Sequence, residues 1–306
     1  MRGETAAVGQ HGKSAKNTSH AGQRARQLQA QQKRRDARRR LLIRVGAPVL
    51  VVLAVIATLV VVRINQQPAT AVTGAPSGPV SATVTHAIAD VPAATFDTVG
   101  AGTLTAAPSA ITGPALTTAD GQPRVVYIGA EYCPYCAAER WAVATALSRF
   151  GSFTDLGQTT SASADVYPNT ATLSFHGATY SSDLLAFTGV ETTTNVPTAS
   201  GYAPLDTPSA ADQALDTQYN PQGSIPFIDL GNKYMIAGAS FDPAVLQGLS
   251  QDEISAKLAD PLSPVAQAVD GTANVITAAV CALTGQQPAA VCGSAGVVAG
   301  AAKLPS

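Results

Sequence analysis

Charged side chains are scarce in this 306-residue chain, at 13% against the roughly one quarter usual in globular proteins. With 46% hydrophobic residues it still has the material for a buried core, in one large domain or two small ones. Histidine is rarer: His11, His20, His86 and His176 show no ligand spacing. A zinc site wants four ligands, usually with a second close Cys or His pair, so no metal ligand set is read here, and no cofactor. No internal repeat is visible, which sets repeat architectures aside. Cysteine is limited to four residues, and their placement decides the reading.

The net charge of −1 conceals a split. Residues 1–44 carry 12 Lys and Arg against 2 acids, while residues 45–306 carry 7 against 18. Between the halves, Val45 to Val62 (VGAPVLVVLAVIATLVVV) runs 18 residues without a charge. At about 1.5 Å per residue such a helix is roughly 27 Å long, near the thickness of a bilayer's hydrocarbon. The preceding KRRDARRRLLIR predicts a cytoplasmic N-terminus and an exported remainder. A basic run beside a membrane span is more simply a topology signal than a nucleic-acid tail, and no nucleic-acid partner is expected. A cleavable signal peptide, with Ala69-Thr70-Ala71 as its cleavage site, is the rival; the apolar run exceeds the usual 7–15 residues and its leader is long. The expected layout is therefore a basic cytoplasmic tail (1–44), one transmembrane helix (45–62), a flexible Pro/Ala/Thr/Ser/Gly tether (63–87) and an exported domain (88–306), held at the cell membrane as a single-pass protein.

An even number of cysteines in an oxidising compartment predicts two disulfides, Cys133/Cys136 and Cys281/Cys292. Arg124 to Gly129 (RVVYIG) reads as a buried strand, and Pro134 to Phe150 as a helix with Gly151 as its C-cap. Cys133 then starts a helix, Pro134 fits its first turn, and Cys136 lies one turn in. The partial positive charge of a helix start favours the Cys133 thiolate, the species that attacks disulfides. Cys136 is placed to resolve the mixed disulfide. Half of a metal site and a purely structural 133–136 link are the competing readings; the latter would close a loop too short to constrain the unfolded chain much. For Cys281 and Cys292, in CALTGQQPAAVC after the helical VITAAVCAL, a structural disulfide is expected, with a second redox pair as the alternative.

Strand, CxxC at a helix start, and a later proline before a hairpin resemble the thioredoxin superfamily, and CPYC resembles the glutaredoxin tetrad. The longer string GAEYCPYCAAERWAVATALSRFGSF, with the paired C-terminal cysteines, resembles a family catalogued as domain of unknown function 929, thioredoxin-like proteins that are often membrane-anchored. That resemblance runs from about Ile88 to the last cysteine pair and implies an α/β thioredoxin-like fold without an established substrate. It makes Cys133 the nucleophile, Cys136 the resolving thiol and Pro226 a cis-proline facing them. Ile225 and Tyr135 would line the substrate groove. IPFIDL and KYMIAG read independently as two strands turning at Gly231-Asn232, and DPAVLQGLSQDEISAKLAD as a helix capped by Asp242, the last of the fold.

Two departures stand out. Residues 151–225 exceed what the minimal fold needs, and with the strand-like LSFHGATY and LLAFTGVETT they predict an insertion beside the site. The superfamily's buried carboxylate, six residues before the first cysteine, is here Tyr127; Glu131 and Glu139 are the nearby acids, and Glu139 is the candidate proton shuttle. Trp141 reads as a core or groove residue. The expected activity is thiol–disulfide exchange with exported proteins, their thiols or disulfides being the partners, alongside a membrane redox partner. A non-catalytic thioredoxin-fold interaction module and a CxxC protein carrying a soft metal ion are the alternatives.

Overall fold

The structure, a computed structural model, describes residues 78–305. The basic tail, the apolar span and most of the tether lie outside the described residues. Those described form a mixed α/β unit whose frame is a five-stranded sheet, in the order β1 (Ser109–Ala110), β11 (Tyr234–Ala237), β10 (Phe227–Leu230), β2 (Arg124–Gly129) and β7 (Ala186–Glu191). Its fourth strand, β2, between β10 and β7, is the strand expected from RVVYIG. Strand side chains alternate between faces, so Val125 and Tyr127 join the main core while Val126 and Ile128 join a smaller one on the opposite face.

On one side β2 pairs in parallel with β7 (Ala186–Glu191), from Arg124 opposite Ala186 to Gly129 opposite Glu191. On the other it pairs antiparallel with β10 (Phe227–Leu230), which turns back into β11 (Tyr234–Ala237). The Gly231-Asn232 turn is as expected: both residues have positive φ (70° and 55°), and the Lys233 N–H bonds the Leu230 carbonyl at 3.2 Å. Two-residue β1 (Ser109–Ala110) edges β11.

Helix α3 (Pro134–Leu147) crosses the main-core face with Trp141 wholly buried, so Trp141 is a core residue whose indole N–H bonds the Ala171 carbonyl at 3.1 Å. The helix stops at Leu147, and Gly151 does not cap it; Ser148 is the C-cap. Two earlier helices, α1 (Ala82–Ala89) and α2 (Ala93–Val99), precede the sheet. The Ser81 hydroxyl caps α1 by accepting from Val84 N–H, and Val84 and Ile88 are buried. The tether boundary drawn at residue 87 thus falls inside a packed helix, because its Ala/Thr composition resembles the tether's.

Between α3 and β7 lie four short strands in two pairs outside the main sheet. β3 (Ser152–Thr154) pairs with β6 (Thr179–Ser181), and β4 (Gly157–Thr160) with β5 (Ala171–Ser174). β5 is fastened to α3: besides the Trp141 bond, the Thr172 hydroxyl donates to the Ala137 carbonyl at 2.7 Å. After β7 come the hairpin β8 (Thr193–Thr198) and β9 (Gly201–Pro204), then α4 (Ala210–Tyr219), whose Leu215 and Tyr219 cover the smaller core.

The segment read as one helix from Asp242 is two elements. Asp242 caps a 3-10 turn, Pro243–Leu246; Gly248 breaks it at φ 74°, and Ser250 starts α5 (Gln251–Lys257) with a capping box to Glu253. The long helix is instead α6 (Pro264–Leu283), apolar enough to cross a membrane by length and composition but buried as the core helix against α3. α7 (Ala289–Cys292) and α8 (Ala295–Ala301) follow, and a disulfide joins Cys281 to Cys292 with Cα atoms 5.7 Å apart.

Candidate active site

β2 ends at Gly129, and the chain turns through Ala130, Glu131 and Tyr132 to place Cys133 as the N-cap of α3. Its sulfur accepts the Cys136 N–H at 3.3 Å, and its N–H bonds the Ala130 carbonyl at 3.2 Å. Helix starts leave such N–H groups without partners, so a sulfur placed there is drawn toward the anion. The Cys133 thiol is held below its ordinary value chiefly by the Cys136 S–H; burial opposes this, and the Cys136 and Tyr135 N–H groups and the Arg140 charge assist it. Burial, above all, pushes the Cys136 thiol well up, and its contact with Cys133 adds to that. The two thiols are free, and one is prepared to ionise while the other holds its proton.

The Ile225–Pro226 peptide bond is cis, and the Ile225 carbonyl lies 3.8 Å from the Cys133 sulfur. Ile225, half-buried, thus reaches Cys133 through its carbonyl, and buried Pro226 follows it directly in the chain. Tyr135 is exposed and meets Tyr167 edge to face, ring centres 6.0 Å apart.

Glu139 goes elsewhere. It is wholly buried, and its two carboxylate oxygens accept from the Ser240 N–H and hydroxyl, each at 2.8 Å. Burial raises it to about 7, with the Ser240 hydrogen bonds opposing. The charge beneath the thiols belongs instead to Arg140, one turn past Cys136. It is wholly buried, donates to Glu191 at 2.7 and 2.9 Å, and donates to the Ala130 carbonyl at 2.6 Å. Ala130 thus anchors both the cysteine loop and the guanidinium. Burial raises the Glu191 carboxyl, against the Arg140 charge and hydrogen bonds. Glu191 also accepts the Phe175 N–H at 3.3 Å.

Tyr127, at the position of the superfamily's carboxylate, is wholly buried with its hydroxyl unpartnered among the described residues. Its ring packs edge-on to Phe175 at 4.9 Å, and its hydroxyl lies over Gly129, where a Cβ would collide with it. Arg140 and Glu191 were missed in the sequence. Arg140 had a signal, being the sole cation in PYCAAERWAVATAL and at i+4 from Cys136 on the same helix face. Glu191 had only its place at the end of an apolar strand.

The Cys281–Cys292 disulfide sits away from this site. Leu283 packs against Gly231 at the β10–β11 turn, whereas Cys133 meets Ile225 just before β10 begins. Four residues of strand, about 13 Å, separate the two ends.

Among known proteins, the family model described as a domain of unknown function, DUF929, matches residues 111–200. That stretch holds β2, the CPYC motif, α3 and Glu191, and it bears out the resemblance read from GAEYCPYCAAERW; it stops short of Pro226 and the second cysteine pair. No curated protein and no solved structure matches the chain.

Proposed function

We propose that this chain is a membrane-anchored, extracytoplasmic thiol–disulfide oxidoreductase with a thioredoxin-like fold, exchanging disulfides with exported proteins through Cys133 and Cys136. The observation that carries the reading is the Cys133 sulfur at the start of α3, bonded by the Cys136 N–H and faced by the Ile225 carbonyl ahead of Pro226. The order of elements supports the fold. A strand (β2), the cysteine helix and a parallel strand (β7) are followed by a helix (α4), an antiparallel hairpin (β10–β11) and further helices. On this reading β3 to β6 are the insertion, smaller than the whole of 151–225, because β7 belongs to the sheet and α4 covers it. The 18-residue uncharged run after a strongly basic segment supports a single span with the tail inside.

In the forward step the Cys133 thiolate attacks one sulfur of a partner's disulfide, and the partner's other sulfur leaves as a thiolate. Cys136 then loses its proton and attacks the Cys133 sulfur, releasing the second partner thiolate; two electrons have passed to the partner and the 133–136 disulfide has formed. The reverse sequence oxidises a dithiol. The test is trapping. Cys136→Ser in the full chain should accumulate mixed disulfides with exported proteins when free thiols are blocked at lysis, and Cys133→Ser should not. Trapping by Cys133→Ser alone would reverse the roles, equal trapping would leave neither thiol the dedicated nucleophile, and none by either would favour a non-catalytic interaction module.

A further inference from the structure

Four tyrosines from three segments meet in two pairs at the cysteine loop. Tyr132 and Tyr135 flank Cys133 in sequence, Tyr167 comes from the β4–β5 loop, and Tyr202 from β9. Tyr132 stacks on Tyr202, ring centres 4.2 Å apart and planes 7° from parallel. Tyr135 meets Tyr167 edge-on, and the Tyr167 hydroxyl donates to Asp242 at 3.0 Å. The pairs are bound to the scaffold: the Ala162 N–H holds the Tyr132 carbonyl at 2.8 Å, and the Ser161 and Thr170 hydroxyls hold the Tyr167 carbonyl at 2.8 and 2.9 Å.

Acids stand among these rings. Asp165 lies on the same loop as Tyr167, with its N–H on the Ala162 carbonyl at 3.4 Å, and Asp242 accepts from the Tyr167 hydroxyl; Glu131, next to Tyr132 in sequence, lines a separate cavity with His176 and Asn195. Cations do not. Residues 78–305 carry 6 Lys and Arg against 18 acids. Arg124 pairs with Asp212 beside the start of β2, Arg140 is buried, and Arg149 packs over Phe96. Lys233 is in the hairpin turn over Tyr234, and Lys257 and Lys303 lie at or past the ends of α5 and α8. Among the described residues the two cation–ring contacts use Phe96 and Tyr234, leaving the rim tyrosines free. An aromatic face beside a carboxylate is a good seat for Lys or Arg, and an acidic rim attracts a basic chain and repels an anion.

Building on the proposed exchange activity, we infer that the rim selects extended protein segments carrying Lys or Arg beside the reacting cysteine, and disfavours glutathione, whose two carboxylates outnumber its one ammonium. This substrate class departs from what the CPYC tetrad alone implies, because the rim and not the tetrad meets the partner's flanks.

The full-length protein, reduced and in detergent, would be mixed with three probes: a peptide whose internal disulfide is flanked by lysines, its glutamate-flanked counterpart, and oxidised glutathione. Each rate of thiol loss, read by acid quench and alkylation, is divided by the rate of dithiothreitol on the same probe, which removes intrinsic reactivity. At about 10 mM ionic strength the normalised lysine-peptide rate should exceed both others by roughly tenfold or more, and the gap should close near 1 M salt, where charges are screened beyond about 3 Å. Asp165→Asn with Asp242→Asn should shrink the preference while the glutamate-peptide rate holds or rises. Equal normalised rates, a glutamate or glutathione preference, or a preference indifferent to salt and to both substitutions would overturn this inference and leave the exchange activity standing. No exchange with any probe would overturn both.

Discussion

Arg140 and Glu191, 51 residues apart in sequence, form a wholly buried two-pronged ion pair with Nε to Oε1 at 2.7 Å and Nη2 to Oε2 at 2.9 Å. The pair ties the cysteine helix to the end of the parallel strand. Removing both partners in favour of apolar side chains can be close to neutral, whereas removing one leaves a buried charge at a cost of about 3–5 kcal/mol. Its position under the thiols adds an electrostatic role that stability alone would not report.

The two single substitutions should therefore move the thiols in opposite directions. Glu191→Gln leaves the guanidinium unopposed and favours the thiolates; Arg140→Gln removes the cation and disfavours them. The measurement is the pH dependence of alkylation of Cys133 in the full chain, expected to shift to lower pH in the first variant and higher in the second. Arg140→Lys, which keeps the charge but not the fork, should fall between wild type and Arg140→Gln. Shifts of the same sign, or none in folded variants, would make the pair structural only.

A second expectation concerns the disulfide at the far end of the sheet. Cross-linking Cys281 to Cys292 closes an 11-residue separation, which the chain-entropy picture values at roughly 2–3 kcal/mol. Replacing both with Ser should lower the melting temperature while leaving disulfide exchange at Cys133 intact, since about 13 Å of strand lies between the two ends. Lost exchange in a folded double variant would instead support an electron relay.

Local signals in the sequence were reliable where one element carried the pattern. RVVYIG needed no partner to read as a strand, Pro134 after Cys133 marked a helix start, and Gly231-Asn232 marked its turn. What escaped depended on residues far apart. LLAFTGVETT reads as a strand, but nothing local says that Ala186–Glu191 lies parallel to β2 inside the main sheet and not in an insertion. The 242–260 segment has the apolar spacing of one helix, yet the positive φ at Gly248 and the capping box at Ser250 divide it. Glu139 drew attention as the acid nearest Cys136 on the helix, but Ser240 takes both its oxygens. The cation that matters lay one residue further on, with its counter-ion 51 residues away. The cis bond at Pro226 was implied by family resemblance alone.

Topology should follow the charge split. A reporter fused after Ser306 is expected to be active only when the domain lies outside the cytoplasm, as the basic run before Val45 to Val62 implies. Activity confined to the cytoplasm would reverse the orientation, and release of the mature chain with cleavage near Ala69-Thr70-Ala71 would replace the anchor with a signal peptide.

The pH dependence of stability follows from buried carboxyls that hold protons. Asp270 on α6 is wholly buried with neither oxygen hydrogen-bonded among the described residues, and burial pushes it up to about 8 against the charge of Arg149. Glu139 is raised to about 7, and Asp229 to about 6, each mainly by burial. In the unfolded chain these groups ionise near pH 4. Between about pH 4 and each folded-state value the native state therefore holds a proton that the unfolded state has lost. Stability from each group is complete below the unfolded value and falls with rising pH by about 1.4 kcal/mol per unit until the folded value is passed. The melting temperature should thus decline from pH 5 to pH 8. Asp270→Asn, which copies the protonated shape, should flatten that decline most above pH 7, where Glu139 and Asp229 have already ionised. The check is calorimetry of wild type and variant across the range. A melting temperature that rises through the window, or a decline untouched by the substitution, would mean that Asp270 is ionised and partnered in the native protein.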